Sequence, residues 1–337
     1  MALKAGIIGC GGIAERRHAP VLSRLAPRVE LAALADLAAE RTGLLGELYG
    51  IEEAHQYRDW QQMLDAENLD LVHICTPHHL HCDQAVAALE RGAHVLLEKP
   101  IATTLEEADR MIAAAQTAKR QLTISHNQLF AAAHRAAMEN ISTLGRVFLF
   151  RSEGFAGSHV QGRGIGQHWR AQASAGGGGP LIDNGFHQIY KALDYIGSPA
   201  GRVFAHIGTH VQDSDVEDTA LVLIEHQNGA TTSIQVGWCA PAGSTRVEEL
   251  FGTQGQMRFG GDPPLSLWQA DTGSWSHPAV KTEGPDELGF PQLVRDFIQV
   301  LEGGGTPQIT GTASRHVLAI VLAAYESGRT GAPVEVS

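Results

Sequence analysis

Three side chains have the types and spacing that acid–base chemistry on an alcohol needs. Asp183 and His187 are four positions apart, so on a helix both would lie on one face, one turn apart. Lys99 follows the apolar run His94–Leu97, and the carboxyl end of a parallel strand is where an open sheet presents residues to a ligand. We therefore predict His187 as base or acid, Lys99 as electrostatic partner and proton relay, and Asp183 as the group that orients the substrate or tunes the other two.

Each of these residues also has a structural interpretation. The helix with Asp183 and His187 carries an apolar stripe beside the polar one, so the two polar side chains could be solvated on an exposed amphipathic helix. Lys99 could form a surface ion pair at a helix end. The glycine run Gly176–Gly179 before that helix could admit a ligand or a backbone segment, or be a flexible loop. The sequence alone leaves these alternatives open.

A glycine-rich turn near the start of the chain has the spacing of a dinucleotide-binding loop. After a short apolar run comes G-x-G-x-x-A, in which the first glycine permits a tight turn, the second lets the backbone approach a pyrophosphate, and the alanine lets the helix pack on the strand. The residues that we assign to cofactor binding here are Gly9, Gly11, Gly12, Ile13 and Ala14.

Asp36 strengthens this interpretation and indicates which cofactor is bound. It closes a second apolar run and lies 22 positions after Ala14, close to the spacing of about 20 at which an acid meets the adenosine ribose hydroxyls. The next residue, Leu37, offers no cation to a 2′-phosphate. The pattern predicts NAD, with NADP less favoured, although an exposed strand-end aspartate is the plainer alternative.

Length and composition limit the classes of function. With 337 residues, two domains are expected. The net charge of −12 and a pI near 5.7 oppose attraction to nucleic acid or to anionic membranes. No apolar stretch is long enough to span a bilayer and no signal segment is recognisable, so we expect a cytoplasmic protein.

One cluster of cysteine and histidine residues has the side-chain types of a metal site, but its predicted placement on the fold does not suit one. Cys75, His78, His79, His81 and Cys82 fall within eight positions, and these side chains suit zinc. Because the first cysteine should lie in a strand and the second should begin a helix, their side chains should diverge. No second ligand pair stands at the usual spacing, so we predict no metal.

The order of apolar patterns predicts two domains. Residues 1–125 alternate strand-like runs with helix-like stretches, which indicates an α/β domain with a doubly wound parallel sheet that binds the dinucleotide. Residues 126–337 contain strand-like runs joined by short turns, including Asn228-Gly229, which is a strong hairpin signal. We predict an α+β domain there, with a mainly antiparallel open sheet that serves substrate binding.

With these motifs in order along nearly the whole chain, the sequence resembles the Gfo/Idh/MocA family. The segments that carry the resemblance are G-C-G-G-I-A, Thr76–His81, Glu98–Pro100, Trp169-Arg170 and Gly176–His187. The resemblance implies a Rossmann domain followed by a sheet domain whose open face commonly mediates dimers or tetramers. It also implies NAD(P)-linked oxidation or reduction of sugars, polyols or inositols. His78 is a departure, since the family often has asparagine there.

The resemblance also implies further cofactor-binding residues. Pro77 and His81 would shape the nicotinamide edge, Asn127 would lie near nicotinamide and substrate, and Trp169 and Arg170 would reach the cofactor from the second domain. Thr76, Glu98 and Lys99 complete the implied set. Trp169 could instead be a core aromatic residue and His81 a helix-start cap.

Three functions therefore compete. The first is an NAD-dependent oxidoreductase that moves a hydride between nicotinamide and a secondary alcohol or ketone of a sugar, polyol or inositol, as a homodimer or homotetramer. The second is a glycosidase that uses tightly held NAD for transient oxidation. The third is a noncatalytic dinucleotide-sensing regulator, which could have lost Lys99 and His187, yet both are present.

Overall fold

The computed structural model describes residues 2–157, 168–282 and 288–337. The chain forms two compact units. Unit 1 consists of Met1–His126 with Phe290–Arg315, and unit 2 of Asn127–Gly289 with His316–Ser337. No helix among the described residues has both the length and the apolar content needed to cross a bilayer.

Unit 1 is built on a six-stranded sheet in which every pair of neighbours is parallel. Its order is β3-β2-β1-β4-β5-β6, the order of a doubly wound dinucleotide-binding sheet. The predicted fold class is thereby confirmed for this unit. The strands are Leu3–Ile8 (β1), Val29–Ala35 (β2), Gln56–Tyr57 (β3), Leu71–Ile74 (β4), His94–Leu97 (β5) and Leu122–Ile124 (β6).

Helices connect the successive strands of unit 1, and one further helix of this unit comes from later in the chain. The helices are Ala19–Arg24 (α1), Ala39–Tyr49 (α2), Trp60–Ala66 (α3), His81–Glu90 (α4), Leu105–Ala118 (α5) and Phe290–Gly303 (α9). A π-helical turn, Ala14–His18, precedes α1, and Pro20 stands in the first turn of α1, where its missing N–H costs nothing. A capping box begins α5, in which Thr104 and Glu107 are hydrogen-bonded reciprocally.

The strand order decides where ligands can bind. The first three strands follow one another toward one edge of the sheet, and the last three follow one another toward the other edge. The carboxyl ends of the two central strands, β1 and β4, border the crevice in which such a sheet binds ligands. Gly9 follows β1, Cys75-Thr76 follow β4, and Glu98-Lys99 follow β5. Three motifs far apart in sequence therefore meet at one edge of the sheet.

Helix α9 belongs to unit 1, although the sequence-based division placed residues 126–337 together. Its buried residues Val294, Phe297 and Ile298 pack in the core cluster that also contains β1, β2 and α1. Burial of each such side chain contributes about 1.5–3 kcal/mol. Because amphipathicity shows that a helix has a buried face but not which core buries it, the sequence pattern could not assign this helix.

Unit 2 is built on a nine-stranded sheet of order β14-β13-β12-β11-β7-β10-β9-β8-β15. All neighbours are antiparallel except β7 and β10, which are parallel, so the mainly antiparallel sheet is confirmed. The strands are Val147–Phe155 (β7), Ala200–Gly208 (β8), Thr219–His226 (β9), Thr231–Gly237 (β10), Thr245–Gly252 (β11), Gly255–Phe259 (β12), Leu265–Gln269 (β13), Ser274–Ser276 (β14) and Val334–Glu335 (β15).

Helices cover one face of this sheet and leave apolar side chains on the other. The helices are Ala132–Asn140 (α6), Ala173–Gly176 (α7), Phe186–Ile196 (α8) and Gly311–Thr330 (α10), whose residues up to Arg315 are in unit 1. Residues of α6 and α8 share a core with inward-facing residues of the sheet. On the outer face Phe204 lies directly opposite Leu223 in the ladder, and both are more than 40% exposed.

Candidate active site

Gly9 and Gly11 of the fingerprint have separate physical roles. Gly9 has φ of +89°, and a Cβ there would lie 2.8 Å from the carbonyl carbon of Cys75, so this position requires glycine for the fold itself. A Cβ on Gly11 would meet nothing within 4 Å. Gly11 thus faces open space at the start of the helical segment, which is where the fingerprint places a pyrophosphate.

Asp36 is held in place by two backbone donors. The N–H of Cys10 donates to Oδ2 at 2.7 Å and the N–H of Ala38 donates to Oδ1 at 2.9 Å. Since each carboxylate oxygen can accept more than one hydrogen bond, these contacts leave acceptor capacity for ribose hydroxyls. The Rossmann sheet order, the space at Gly11 and this fixed acid together fit a bound dinucleotide.

The buried ring of His81 connects two loops of the candidate site. Its ring is fully buried, with Nδ1 2.9 Å from the carbonyl oxygen of Pro100 and Nε2 3.0 Å from that of Thr76. Burial lowers the pKa of His81, although these carbonyl contacts oppose the shift. The ring connects the Thr76 and Pro100 segments from a buried position, and the part of His81 in the nicotinamide edge stays a prediction.

Glu98 likewise turns inward. Its Oε1 lies 2.8 Å from Nε2 of His18, and Nδ1 of His18 lies 2.9 Å from Nδ1 of His73. Burial would raise the pKa of Glu98, but the hydrogen bond and charge of His18, with the charge of Lys99, lower it overall. The carboxylate of Glu98 is hydrogen-bonded to His18 next to Lys99, and the expected cofactor-binding role of Glu98 stays a prediction.

His73 ends this buried chain of polar groups. Burial, together with the charge of His18, lowers its pKa well below the usual value, and its Nε2 has no hydrogen-bond partner. In its cationic form, His18 can donate from Nδ1 to a neutral His73 and from Nε2 to Glu98. Sequence reasoning missed both histidines, because they stand in a helical turn and a strand 55 residues apart and only the fold brings them together.

The helical segment with Asp183 and His187 is buried on most of its surface. It begins as a π-helical turn, Leu181–Gly185, and continues as α8. Asp183 is buried, and its Oδ2 lies 3.4 Å from Nε of Arg170. The exposed amphipathic helix considered as an alternative is therefore wrong. Asp183 and His187 lie on a largely buried helix, and π-helical turns often occur at functional sites.

His187 is supported by a tyrosine one turn later. Its Nδ1 lies 2.6 Å from the hydroxyl of Tyr190, and the backbone N–H of Gln128 donates to the same hydroxyl at 3.2 Å. A hydroxyl can both donate and accept. Tyr190 can therefore support His187 with Nδ1 protonated or unprotonated, which is what a group that both takes and gives a proton requires.

The remaining predicted residues of unit 2 have these surroundings. The guanidinium carbon of Arg170 lies 4.2 Å from the ring centroid of Trp169, a cation–π contact. Asn127 is buried and its amide donates to the carbonyl oxygen of Leu288 at 2.7 Å. Trp169 is not a core residue, since it is half-exposed. The cofactor contacts expected of these three side chains stay predictions.

A buried ion pair fixes the far side of α8. Lys191 donates to Glu248 on β11, and Arg246 donates to the same carboxylate at 3.0 Å. Burial lowers the pKa of Lys191, whereas these two cations lower the pKa of Glu248 despite its burial. Breaking such a pair typically costs about 3–5 kcal/mol, so the helix has little freedom to rotate.

Across the described residues, no three histidine, cysteine or acidic side chains converge as a metal site would require. The members of the cluster considered above point to different partners. Sγ of Cys82 donates to the carbonyl oxygen of Glu107 at 3.5 Å, while His81 contacts Thr76 and Pro100.

The sheet order and the fingerprint geometry define a dinucleotide-binding unit joined to a mixed α+β unit. Comparison with protein families agrees: residues 3–126 match the Gfo/Idh/MocA oxidoreductase family, NAD-binding Rossmann fold, and residues 135–258 match the Gfo/Idh/MocA C-terminal domain. The chain belongs to this family of oxidoreductases, as the sequence motifs predicted.

Individual relatives cover almost the full length. D-glucoside 3-dehydrogenase of Escherichia coli (strain K12) is 27% identical, over 99% of this chain and 97% of the relative. D-xylose 1-dehydrogenase (NADP(+)) 2 of Haloferax volcanii is 29% identical, over 98% and 99%. Among solved structures, levoglucosan dehydrogenase in complex with NADH has a TM-score of 0.90 at 23% identity, with both chains fully covered, which shows the shared fold.

The two glycine environments predict opposite outcomes for one substitution. Gly11→Ala should leave thermal stability nearly unchanged, because its Cβ meets only open space, while it weakens dinucleotide binding at least tenfold by occupying that space. Gly9→Ala should lower the melting temperature, because both its φ and its contact with Cys75 oppose a side chain. Thermal melts and cofactor titrations of both variants test this. Unchanged cofactor affinity in Gly11→Ala would contradict the assignment.

Proposed function

We propose that the protein is an NAD-dependent dehydrogenase or reductase that interconverts a secondary hydroxyl and a ketone on a sugar, polyol or inositol-type substrate. The observation that carries the proposal is the environment of His187. Its ring is hydrogen-bonded to Tyr190, and it lies one helical turn after the buried Asp183. Family membership and the relatives that act on sugars support the substrate class.

The bound nicotinamide supplies or accepts the hydride, and the residues of the chain handle the proton and the charge. In oxidation, His187 takes the hydroxyl proton, with Tyr190 bonded to its other ring nitrogen. Lys99, a cation at the end of β5, stabilises the negative charge that develops on the oxygen. In reduction, the same groups act in reverse.

Asp183 serves to orient rather than to transfer protons in this proposal. Its carboxylate is buried and lies beside the guanidinium of Arg170, which limits its movement. A buried, fixed acceptor can bind a substrate hydroxyl in one orientation. This arrangement supports an orienting role and leaves the proton exchange to His187.

For cofactor choice we propose NAD(H) over NADP(H). The carboxylate of Asp36 is fixed by two backbone N–H groups and would repel a 2′-phosphate. Two nearby arginines could offset this repulsion. Arg41 donates to the carbonyl oxygen of Cys10 and pairs with Glu15 at 2.6 Å, and Arg58 donates to the carbonyl oxygen of Leu37 at 3.3 Å. The NADP-linked xylose dehydrogenase among the relatives makes this choice worth testing directly.

Titration of both cofactors tests the role of Asp36. The wild-type protein should bind NADH more tightly than NADPH, and Asp36→Ala should narrow the gap by about tenfold or more, because the repulsion and the ribose acceptor are lost together. Arg58→Ala serves as control and should keep the preference for NADH, since its guanidinium donates to the carbonyl oxygen of Leu37. Equal or tighter binding of NADPH by the wild type would overturn the proposal.

Turnover measurements test the catalytic residues. On a sugar that the wild type oxidises, Lys99→Ala and His187→Ala should each lower kcat by about two to four orders of magnitude with cofactor binding retained. The double variant should be little worse than the poorer single one, because both act on the same oxygen. Asp183→Asn should cost less than either.

Matched controls are the exposed residues His277 and Lys281 of unit 2, whose alanine variants should keep wild-type turnover. Turnover within about threefold of wild type in both Lys99→Ala and His187→Ala would reject the assignment and leave only cofactor binding. A panel of sugars, inositols and sugar acids, screened for NADH formation, identifies the substrate. Hydrolysis of a glycoside without net NADH would indicate the NAD-using glycosidase instead.

We further propose that the outer face of the unit 2 sheet binds a second copy of the chain to form a homodimer or homotetramer. Phe204, Leu221 and Leu223 on neighbouring strands are each more than 40% exposed. Beside them lies a row of alternating charges formed by Arg151, Glu249 and Arg258, which are bonded in sequence across three strands. An apolar patch with a charged margin is typical of an interface between protein chains.

Sedimentation tests this interface. The wild type should be a dimer or tetramer at micromolar concentration, and Leu223→Glu should shift it toward monomer, because a charge would be buried in the apolar patch. Leu48→Glu, on an exposed leucine of α2 in unit 1, should leave the assembly intact. A monomeric wild type, or equal dissociation in both variants, would contradict the proposal.

A further inference from the structure

The turn that leads into the Asp183–His187 segment is held by a buried carboxylate. Oε2 of Glu217 accepts the N–H of Gly179 at 2.8 Å, and Oε1 accepts the N–H of Leu181 at 3.0 Å. The hydroxyl of Tyr325 on α10 donates to the same Oε1 at 2.9 Å. Glu217 stands just before β9, so a strand, a terminal helix and the glycine turn meet at one carboxyl group.

A single backbone hydrogen bond connects this contact to Asp183. The carbonyl oxygen of Gly179, whose N–H is bonded to Glu217, accepts the backbone N–H of Asp183 at 3.1 Å. Leu181, whose N–H is the other backbone donor to Glu217, is the first residue of the π-helical turn. The backbone that sets the position of Asp183, and of His187 one turn later, is therefore bonded directly to Glu217.

The glycine turn is shaped to fit this contact. A Cβ on Gly178 would collide with the hydroxyl of Tyr325, and a Cβ on Gly179 would collide with the backbone oxygen of Glu217. The turn can approach the Glu217–Tyr325 pair this closely only because both positions lack side chains. Among the alternatives for the glycine run, close approach of another backbone segment is thus what these two glycines provide.

We propose that Glu217 and Tyr325 are positioning residues that hold the Asp183–His187 helical segment in its catalytic geometry. The inference rests on the proposed function of that segment. Catalytic groups need support of this kind, because a displacement of about 1 Å can cost about a hundredfold in rate. Neither residue need touch the substrate or the cofactor.

Burial makes the Glu217 contact costly to replace. The carboxylate is buried, which raises its pKa, while the bonds from Leu181, Gly179 and Tyr325 partly offset the shift. In Glu217→Gln the amide nitrogen would face one of these donors, so at least one bond would be lost and the turn would move. Tyr325→Phe removes one donor, keeps the ring and leaves both backbone bonds in place.

The adjacent residue offers a matched control. Asp218 is also buried, and its Oδ2 accepts three backbone N–H groups, from His210, Val211 and Gln212, at 2.6–2.9 Å. Asp218→Asn is the same chemical change one position away, but the loop that it loosens carries none of the candidate catalytic residues. A loss of stability alone should therefore look alike in Asp218→Asn and Glu217→Gln.

The experiment compares kcat, KM and cofactor affinity below the melting temperature of every variant. Glu217→Gln should lower kcat about 10- to 100-fold with NADH binding unchanged, since the fingerprint loop and Asp36, which are proposed to bind the dinucleotide, lie in unit 1. Tyr325→Phe should lower kcat less and Asp218→Asn by no more than about twofold. Combining Glu217→Gln with His187→Ala should add little to the loss caused by His187→Ala, because both act through the same group.

Each other outcome overturns the inference. Wild-type kcat in Glu217→Gln, an equal loss in Asp218→Asn, or full additivity with His187→Ala would each do so. If Glu217→Gln does not fold, Tyr325→Phe decides, and unchanged kcat there rejects the role. Wild-type turnover in His187→Ala would remove the proposed catalytic role of His187 and this inference together, whereas a large loss in His187→Ala beside a normal Glu217→Gln rejects the inference alone.

Discussion

Both candidate catalytic segments depend on a buried carboxylate that is bonded to donors distant in sequence. Glu98 precedes Lys99 and is bonded to His18, and Glu217 holds the turn before Asp183. An unpartnered carboxylate would not remain ionised in such surroundings, so each is stable only when its donors are in place. The same requirement fixes the backbone on which the reactive side chains stand, which is how a protein prepares a site before substrate arrives.

The two carboxylates respond to pH in opposite directions. Donors and cations lower the pKa of Glu98, so its stabilising contribution is present above the pKa of the unfolded chain and is lost as pH falls through the folded value. Burial raises the pKa of Glu217, so its protonated form favours folding at low pH, and that benefit is lost as pH rises through the folded value. Buried His73, with its lowered pKa, weakens unit 1 further below about pH 6.5.

Local patterns in the sequence predicted most of the fold but little of the support behind the site. The β-strand periodicity and the turn at Asn228-Gly229 are each properties of a few adjacent residues, and both are present. Strands β13 to β15 and helices α6 and α7 were not predicted, because short or weakly apolar segments gain their structure from neighbours in space. The partners of Glu98 and Glu217 lie up to 108 residues away, where no local pattern can indicate them.

The glycine run shows why a motif needs its surroundings before its role can be assigned. From the sequence, Gly176–Gly179 could serve a ligand, another backbone segment or flexibility. Gly178 and Gly179 are packed against Tyr325 and Glu217, so their lack of side chains is a packing requirement of unit 2. A change at either glycine would therefore act on the site by moving the helical segment that follows, without any contact with a ligand. The backbone of that turn therefore contributes to the packing of unit 2 and to the position of the candidate catalytic residues.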